Sequence, residues 1–245
     1  MIQELSFKIL RWASDRWVKK HCRILYFDEE NIANNKNERR VYIANHPTTF
    51  DVPVLLSMNE KNIYTLIDSN AYTIPFLGLI LRGAGFIKFA KGKGREALEK
   101  AKKYIEARKP FLQTLRTGEA IVGEKSRPRI GGILLAHAAR ANLYPLFVMI
   151  EEGKKALKYF RGLDFKKHPY TLFHDTLYMI RFGKPIRYEE YAKENMTHRD
   201  YMDIAKRISD CFKKEKQTTL ELLSEKQEYY SALARVGGPD YRLVF

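Results

Sequence analysis

Cysteine is scarce: the 245 residues hold two, Cys22 and Cys211, far apart in the chain. That excludes a disulfide framework and a cysteine-based metal site, and a reducing compartment is the simplest setting. Long apolar runs are missing too. The longest stretch free of Asp, Glu, Lys and Arg is Ser69–Leu81, well short of the ~20 residues that a membrane-crossing helix needs. The first residues lack the uninterrupted apolar core of a signal peptide, so no membrane span is expected. Acidic residues are outnumbered, 29 against 44 basic, for a net charge of +15. That balance favours anionic partners: phospholipid surfaces, phosphate esters or nucleic acid. No RNA-binding aromatic motif and no helix-turn-helix signature is present, and nucleic acid drops out of the expected partners. Nor is there an internal repeat, or a linker marking a second globular domain.

What is there reads as strands alternating with helices. Strands are expected at Arg23–Phe27, Val41–Ala44 and Ile63–Ile67, at or near Gly83–Ile87, and at Glu119–Val122 and Tyr144–Ile150, with weaker ones at Leu157–Arg161 and Tyr178–Phe182. Pro145 suggests that its strand lies at an edge or contains a special turn. Helices are expected from about Asp51 to Met58, from near Ile74 to Leu81, over Arg95–Arg108 and Gly132–Ala141, and over Tyr201–Tyr230 as one or two pieces. The tail 236–240 is turn-like, and Tyr241–Phe245 suggests no role. The alternation predicts an α/β fold, a central mostly parallel or mixed sheet flanked by helices, with an N-terminal amphipathic helical segment.

Over residues 1–23, Ile2, Leu5, Ile9, Trp12, Ala13 and Trp17 recur at helical spacing beside six cations and two acids, a local charge of +4. A helix of this kind lies in the headgroup layer of an anionic membrane, although the same spacing also serves a face packed on the body of the protein. The expected organisation is a membrane-contacting helix over residues 1–22 and one α/β domain over residues 23–245.

The chemistry concentrates in Asn45-His46-Pro47-Thr48-Thr49-Phe50-Asp51, directly after a short apolar strand. Imidazole titrates near ~6.5 and takes a proton from a hydroxyl at neutral pH. A carboxylate on its other nitrogen fixes the tautomer and steadies the charge that forms. Pro47 turns the chain away from helix, and such a turn can bring Asp51 back toward His46. Spacing alone leaves open a plainer role, Asp51 as a helix cap and His46 as an ordinary polar residue. The same spacing recurs at His198 and Asp203, but there Thr197 reads as an N-cap. On a helix, positions five apart lie about 140° around and cannot touch.

Three further segments follow. Gly83 to Arg95 runs from a strand into a loop of glycines and cations, including Lys91 and Lys93, and then into a helix. Such a loop suits phosphate, although it lacks the ending of a nucleotide P-loop. Gly123-Glu124-Lys125-Ser126-Arg127 offers a planar guanidinium for a phosphate ester, with Glu124 to hold it. Asn142 to Val148 is an apolar strand carrying Pro145.

In this order the four segments resemble the glycerolipid acyltransferase family that includes the bacterial 1-acylglycerol-3-phosphate acyltransferases, over about residues 23–150. The first is similar to that family's Asn-His-x-x-x-x-Asp block in full. Gly85 to Lys91 resembles Gly-x-Ile-Phe-Ile-Asp-Arg, with Lys91 for Arg and Ala90 for Asp. Residues 123–127 resemble Pro-Glu-Gly-Thr-Arg, with Glu124 and Arg127 retained. The resemblance implies acyl transfer from a thioester, acyl-ACP or acyl-CoA, to a lysophospholipid hydroxyl, with no cofactor and no metal. His46 and Asp51 would be catalytic, and Lys91, Glu124, Arg127, Lys93 and Ser126 would bind the acceptor. No Ser or Cys stands in a nucleophile elbow, so direct attack without an acyl-enzyme is expected. The expected place of action is the cytoplasmic face of the membrane, peripheral or monotopic. The departures fall where acceptor contacts belong, which keeps lyso-ornithine lipid or another lysophospholipid as the alternative acceptor. Outside enzymes, the alternative is a non-catalytic basic protein that binds membranes.

Overall fold

Strand β2 (Arg40–Asn45) is buried along its whole length, and its side chains divide between two cores. Val41 and Ile43 join Phe111, Ile133, Leu143 and Phe212 in one. Tyr42 and Ala44 join Val54, Leu55, Leu112 and Leu146 in the other. Successive strand residues point to opposite faces, so a strand covered on both sides is apolar throughout rather than alternating.

The computed structural model describes residues 2–32, 37–45, 51–56, 63–73, 76–90, 92–115, 130–151, 155–157, 172–174, 176–225 and 242–244. Around β2 the order is α1 (Ile2–His21), β1 (Cys22–Phe27), then after β2 α2 (Asp51–Leu56), β3 (Tyr64–Asp68), α3 (Leu77–Ala84), β4 (Ile87–Phe89), α4 (Gly94–Glu106) and β5 (Phe111–Leu115). There follow α5 (Gly131–Ala138), β6 (Asn142–Glu151), β7 (Lys155–Leu157), β8 (Leu172–His174), β9 (Thr176–Phe182), α6 (Tyr188–Tyr191), α7 (His198–Glu225) and β10 (Arg242–Val244). Eight strands form one sheet in the order β10-β1-β9-β6-β2-β5-β3-β4, and β7 and β8 pair separately. From β6 to β4 all neighbours are parallel. β9 meets β6 antiparallel, while β9, β1 and β10 are parallel to one another. The sheet is therefore mixed, with helices on both faces, in agreement with the expected α/β class and N-terminal helix.

Several boundaries differ from expectation for local reasons. α3 runs on to Ala84, because the helix stops only at Gly85, where φ of 81° supplies the left-handed cap. Phe86 N–H and Gly85 N–H then close back on Leu81 and Arg82 carbonyls, a Schellman-type ending. Gly83 thus belongs to the helix and β4 starts at Ile87. β5 lies at Phe111–Leu115, where no strand is expected, and the expected strand at Glu119–Val122 lies outside the described residues. Pro145 does not mark an edge, since β6 is central. It sits in a bulge: between the pairs Leu146↔Phe182 and Leu143↔Ile186, two residues of β6 face the three of Gly183-Lys184-Pro185, and Pro145 C=O accepts from Gly183 N–H at 2.9 Å. The missing proline donor falls where the ladder to β9 is interrupted anyway. Arg242–Val244, without an expected role, pairs with β1 as an edge strand. α7 is one helix as far as it is described.

Candidate active-site edge

Four neighbouring strands, β2, β5, β3 and β4, run parallel, and their carboxyl ends open on one edge of the sheet. Asn45, the last residue of β2, is in register with Leu115, the last of β5. Asp68, the last of β3, is in register with Phe89, the last of β4. In open parallel sheets this edge is where ligands bind. The sequence blocks follow these ends directly: His46 comes one residue after Asn45, Lys91 two after Phe89, and Gly123 eight after Leu115. With strands about 4.8 Å apart, β2 and β4 are separated by three spacings, roughly 14 Å. That span is bridgeable by long cationic side chains and a phosphorylated acceptor.

Asn45 anchors the first block. It is 5% exposed, and its side-chain amide clamps the backbone of β6: Nδ2 donates to Val148 O at 2.7 Å and Oδ1 accepts from Val148 N–H at 2.6 Å. The amide imitates a peptide group and extends the β2–β6 ladder one step past its backbone pairing, which ends at Ala44↔Leu146. The chain is thereby fixed at the residue before His46. Five residues later α2 begins at Asp51, held by Val54 and Leu55, which are fully buried over Tyr42, Ala44 and Leu112. Both ends of the His46–Asp51 segment are therefore tied to the same core. His46, the side chain of Asp51, Lys91, Glu124, Ser126 and Arg127 lie outside the described residues.

Lys93 is described. It is exposed at the N-cap position of α4, in a turn where its N–H donates to Ala90 O and its carbonyl accepts from Ala97 N–H. Gly92, with φ of 84°, takes the left-handed conformation that a side chain resists. Lys88, Lys93 and Arg95 are exposed around this turn, and the α4 N-terminus adds positive dipole there. Two features escape a reading of motifs alone. The clamp made by Asn45 is one; its signal is an Asn closing a strand next to a candidate base. The other is Asp68, at the edge between β5 and β4, whose carboxylate accepts from Asn70 N–H at 2.9 Å.

The second His-x-x-x-x-Asp pair stands apart. His198 and Asp203 are both exposed on α7, about 140° around the helix from each other. The N-terminus of α7 is a capping box instead: Thr197 N–H and Oγ1 donate to Asp200 at 2.8 and 2.6 Å, and Asp200 N–H reaches Thr197 Oγ1. The hydrogen bond from Lys193, then those from Thr197, hold the Asp200 carboxyl well below the usual carboxylate range. Among the described residues no cluster of His, Cys, Asp and Glu suits a metal ion. No helix described is long and apolar enough to cross a membrane.

The family model described as Acyltransferase matches residues 23–123. Among solved structures, the chain is similar to the 1-acyl-sn-glycerophosphate (LPA) acyltransferase PlsC from Thermotoga maritima. The TM-score is 0.55 at 14% identity, covering 84% of this chain and 79% of that one. At that identity the likeness is one of fold. No curated protein gives a significant match. The matched segment runs from β1 to the first residue of the third block and contains the four strands that build the shared edge, so over residues 23–123 the chain is similar to an Acyltransferase domain.

Proposed function

We propose that the protein moves a fatty acyl group from an acyl-ACP or acyl-CoA thioester to the free hydroxyl of a lysophospholipid, with 1-acylglycerol-3-phosphate as acceptor and phosphatidic acid as product. One observation carries this: three sequence blocks with the residue types for acyl transfer follow the carboxyl ends of β2, β4 and β5, parallel strands that end on one edge. His46 takes the proton of the acceptor hydroxyl while Asp51 orients the imidazole. The freed oxygen attacks the thioester carbonyl, the C–S bond breaks, and the imidazolium returns its proton to the leaving thiolate. Lys91 and Arg127 bind the acceptor phosphate, with Lys93 and Ser126 nearby. Glu124 positions Arg127. The thioester is a co-substrate, and the protein works as a peripheral protein on the cytoplasmic face of an anionic membrane.

Release of free thiol from an acyl thioester, measured with and without 1-acylglycerol-3-phosphate, tests the proposal. Turnover should require the acceptor, and His46→Ala should lower it by at least about a hundredfold while the fold persists. Arg127→Ala should raise KM for the phosphorylated acceptor by about ten- to a hundredfold with little change in kcat. Turnover with lyso-ornithine lipid but not with 1-acylglycerol-3-phosphate would transfer the assignment to the alternative acceptor. Thioester turnover with no lyso-lipid acceptor would end it.

A further inference from the structure

Asp68 is a carboxylate among cations on the edge where the parallel strands end. It closes β3 and is in register with Phe89, the last residue of β4, one strand spacing away, about 4.8 Å. Alternation along β3 puts it on the face where Leu66 packs with Ile87, Ala97 and Ala101, the face that α4 covers. β4 and β5 both run parallel to β3, so α4, the helix between them, returns in the opposite direction and starts at the carboxyl edge. A contact agrees with this: a Cβ on Gly94, the first residue of α4, would lie 3.8 Å from the Phe89 ring. The ring beneath the start of α4 thus belongs to the residue paired with Asp68, and Lys93 and Arg95 are exposed on either side of Gly94.

The carboxylate is held in place. Its Oδ1 accepts from Asn70 N–H at 2.9 Å, an Asx turn that fixes the side chain at the strand end, and the residue is exposed to solvent. Glu96, an acid in the first turn of α4, is engaged along its own helix with Lys100 at 2.6 Å. Negative charge beside a cationic turn works against a phosphate monoester, which carries close to about two charges at neutral pH. It suits a head group of both signs, in which a phosphate diester and an ammonium are joined by a short carbon bridge. Asp68 also lies two strand spacings from the end of β2 that precedes His46, roughly 10 Å. An extended glycerophosphoethanolamine spans a comparable length from its free glycerol hydroxyl to its ammonium.

We propose that Asp68 selects the acceptor by its head group: its carboxylate binds an ammonium, so that the site takes lysophospholipids of the ethanolamine type as a further acceptor class beside the phosphate monoester. This rests on the acyltransferase reading of the same edge. The acyl group still goes to the free glycerol hydroxyl, and the ammonium is held by charge, not acylated.

Asp68→Asn is the decisive variant. An amide oxygen still accepts from Asn70 N–H, so the turn persists while the charge is removed. Release of free thiol is followed in neutral detergent with 1-acylglycerophosphoethanolamine and with 1-acylglycerol-3-phosphate. The parent should turn over both. In Asp68→Asn, KM for the ethanolamine acceptor should rise and KM for the monoester fall, shifting the ratio of their kcat/KM values by about tenfold with kcat nearly level. Asp68→Lys should move the ratio further the same way. Asp210→Asn, the same loss of charge at an exposed position on α7, should leave it unchanged. A residue that merely orders the turn, or holds a cation of the loop, would raise both KM values together. That result overturns the proposal, as does an unmoved ratio or a parent active on the monoester alone. Calorimetry with the same two lyso-lipids and no thioester separates binding from turnover. Acceptor-dependent thiol release with a preference that Asp68→Asn leaves alone would remove this role of Asp68 and keep the acyltransferase reading. Ethanolamine-selective binding that Asp68→Asn abolishes, with no thiol release from any acceptor, would end that reading and keep Asp68 as the head-group contact.

Discussion

At the scale of single residues, Asn45 ties the end of β2 to β6 directly before the proposed base. Its buried amide satisfies both the N–H and the carbonyl of Val148, and removing it strands two backbone groups away from water. Asn45→Ala should therefore cost about 2–4 kcal/mol in urea unfolding, and because His46 is the next residue, activity should fall even where the variant remains folded. Asn45→Asp is more informative. A carboxylate puts an acceptor against Val148 O, and only the protonated acid can donate there, so its folded pKa is raised above the unfolded value. The sign follows: the variant's stability is fully present below the unfolded carboxylate pKa and is lost as pH rises through the folded one. Unfolding midpoints that rise on acidification for Asn45→Asp, relative to the parent, check this; a midpoint difference independent of pH would remove the clamp. Cys211 makes a simpler case. Burial, then the nearby Glu215, pushes its thiol up to about 11, and thiolate is the reactive form. Cys22 is buried as well. Neither cysteine should react with an aromatic disulfide reagent at pH 8 until denaturant is added, and rapid labelling of the folded protein would contradict this environment.

At the scale of elements, the N-terminus of α7 offers a prediction with a definite sign. Asp200 carries a lowered carboxyl pKa because Lys193 and Thr197 donate to it. A carboxyl lowered in the folded state stabilises above its unfolded pKa, and that contribution is lost as pH falls through the lower, folded value. The gap in melting temperature between the parent and Asp200→Asn should accordingly be widest near neutral pH and close in acid. Thr197→Ala should lower stability by about 1 kcal/mol at neutral pH, the usual worth of such a cap. This cap was legible in the sequence because Thr-x-x-Asp before an apolar period is a local signal. β2 and β6 were legible for a related reason: covered on both faces, they are continuous apolar runs. β5 was not. Phe111-Leu112-Gln113-Thr114-Leu115 is short and half polar, and it is a strand because β2 and β3 flank it, a tertiary fact without local trace. Pro145 misleads for the same reason: a proline forbids a donor at one position, and whether that makes an edge or a bulge depends on Gly183 and Ile186, some 40 residues on. The blocks themselves were visible as motifs. That the strands before them end on one edge was not, because it depends on strand order β2-β5-β3-β4, which local pattern does not encode.

At the scale of the whole molecule, the sheet changes direction once, between β6 and β9, so the strands that feed the candidate site form one parallel block while β9, β1 and β10 extend the sheet beside it. Onto this frame the chain places a net charge of +15, an excess of cations that ion pairs with its own acids cannot neutralise. A field of that sign draws in anionic acceptors and anionic leaflets, and salt weakens it: the screening length shrinks from about 10 Å at 0.1 M to about 3 Å at 1 M. If the acceptor is a phosphate monoester held by cations, its capture should be salt-sensitive while the chemical step, inside the site, is not. With 1-acylglycerol-3-phosphate dispersed in neutral detergent, KM should therefore rise several-fold across that range of sodium chloride while kcat stays nearly level. The same titration with a zwitterionic lysophospholipid supplies the contrast, and its KM should move less. A KM for the phosphate acceptor that is flat in salt would mean that the charge serves something other than substrate capture, and it would remove the cations of the loop after β4 from acceptor binding.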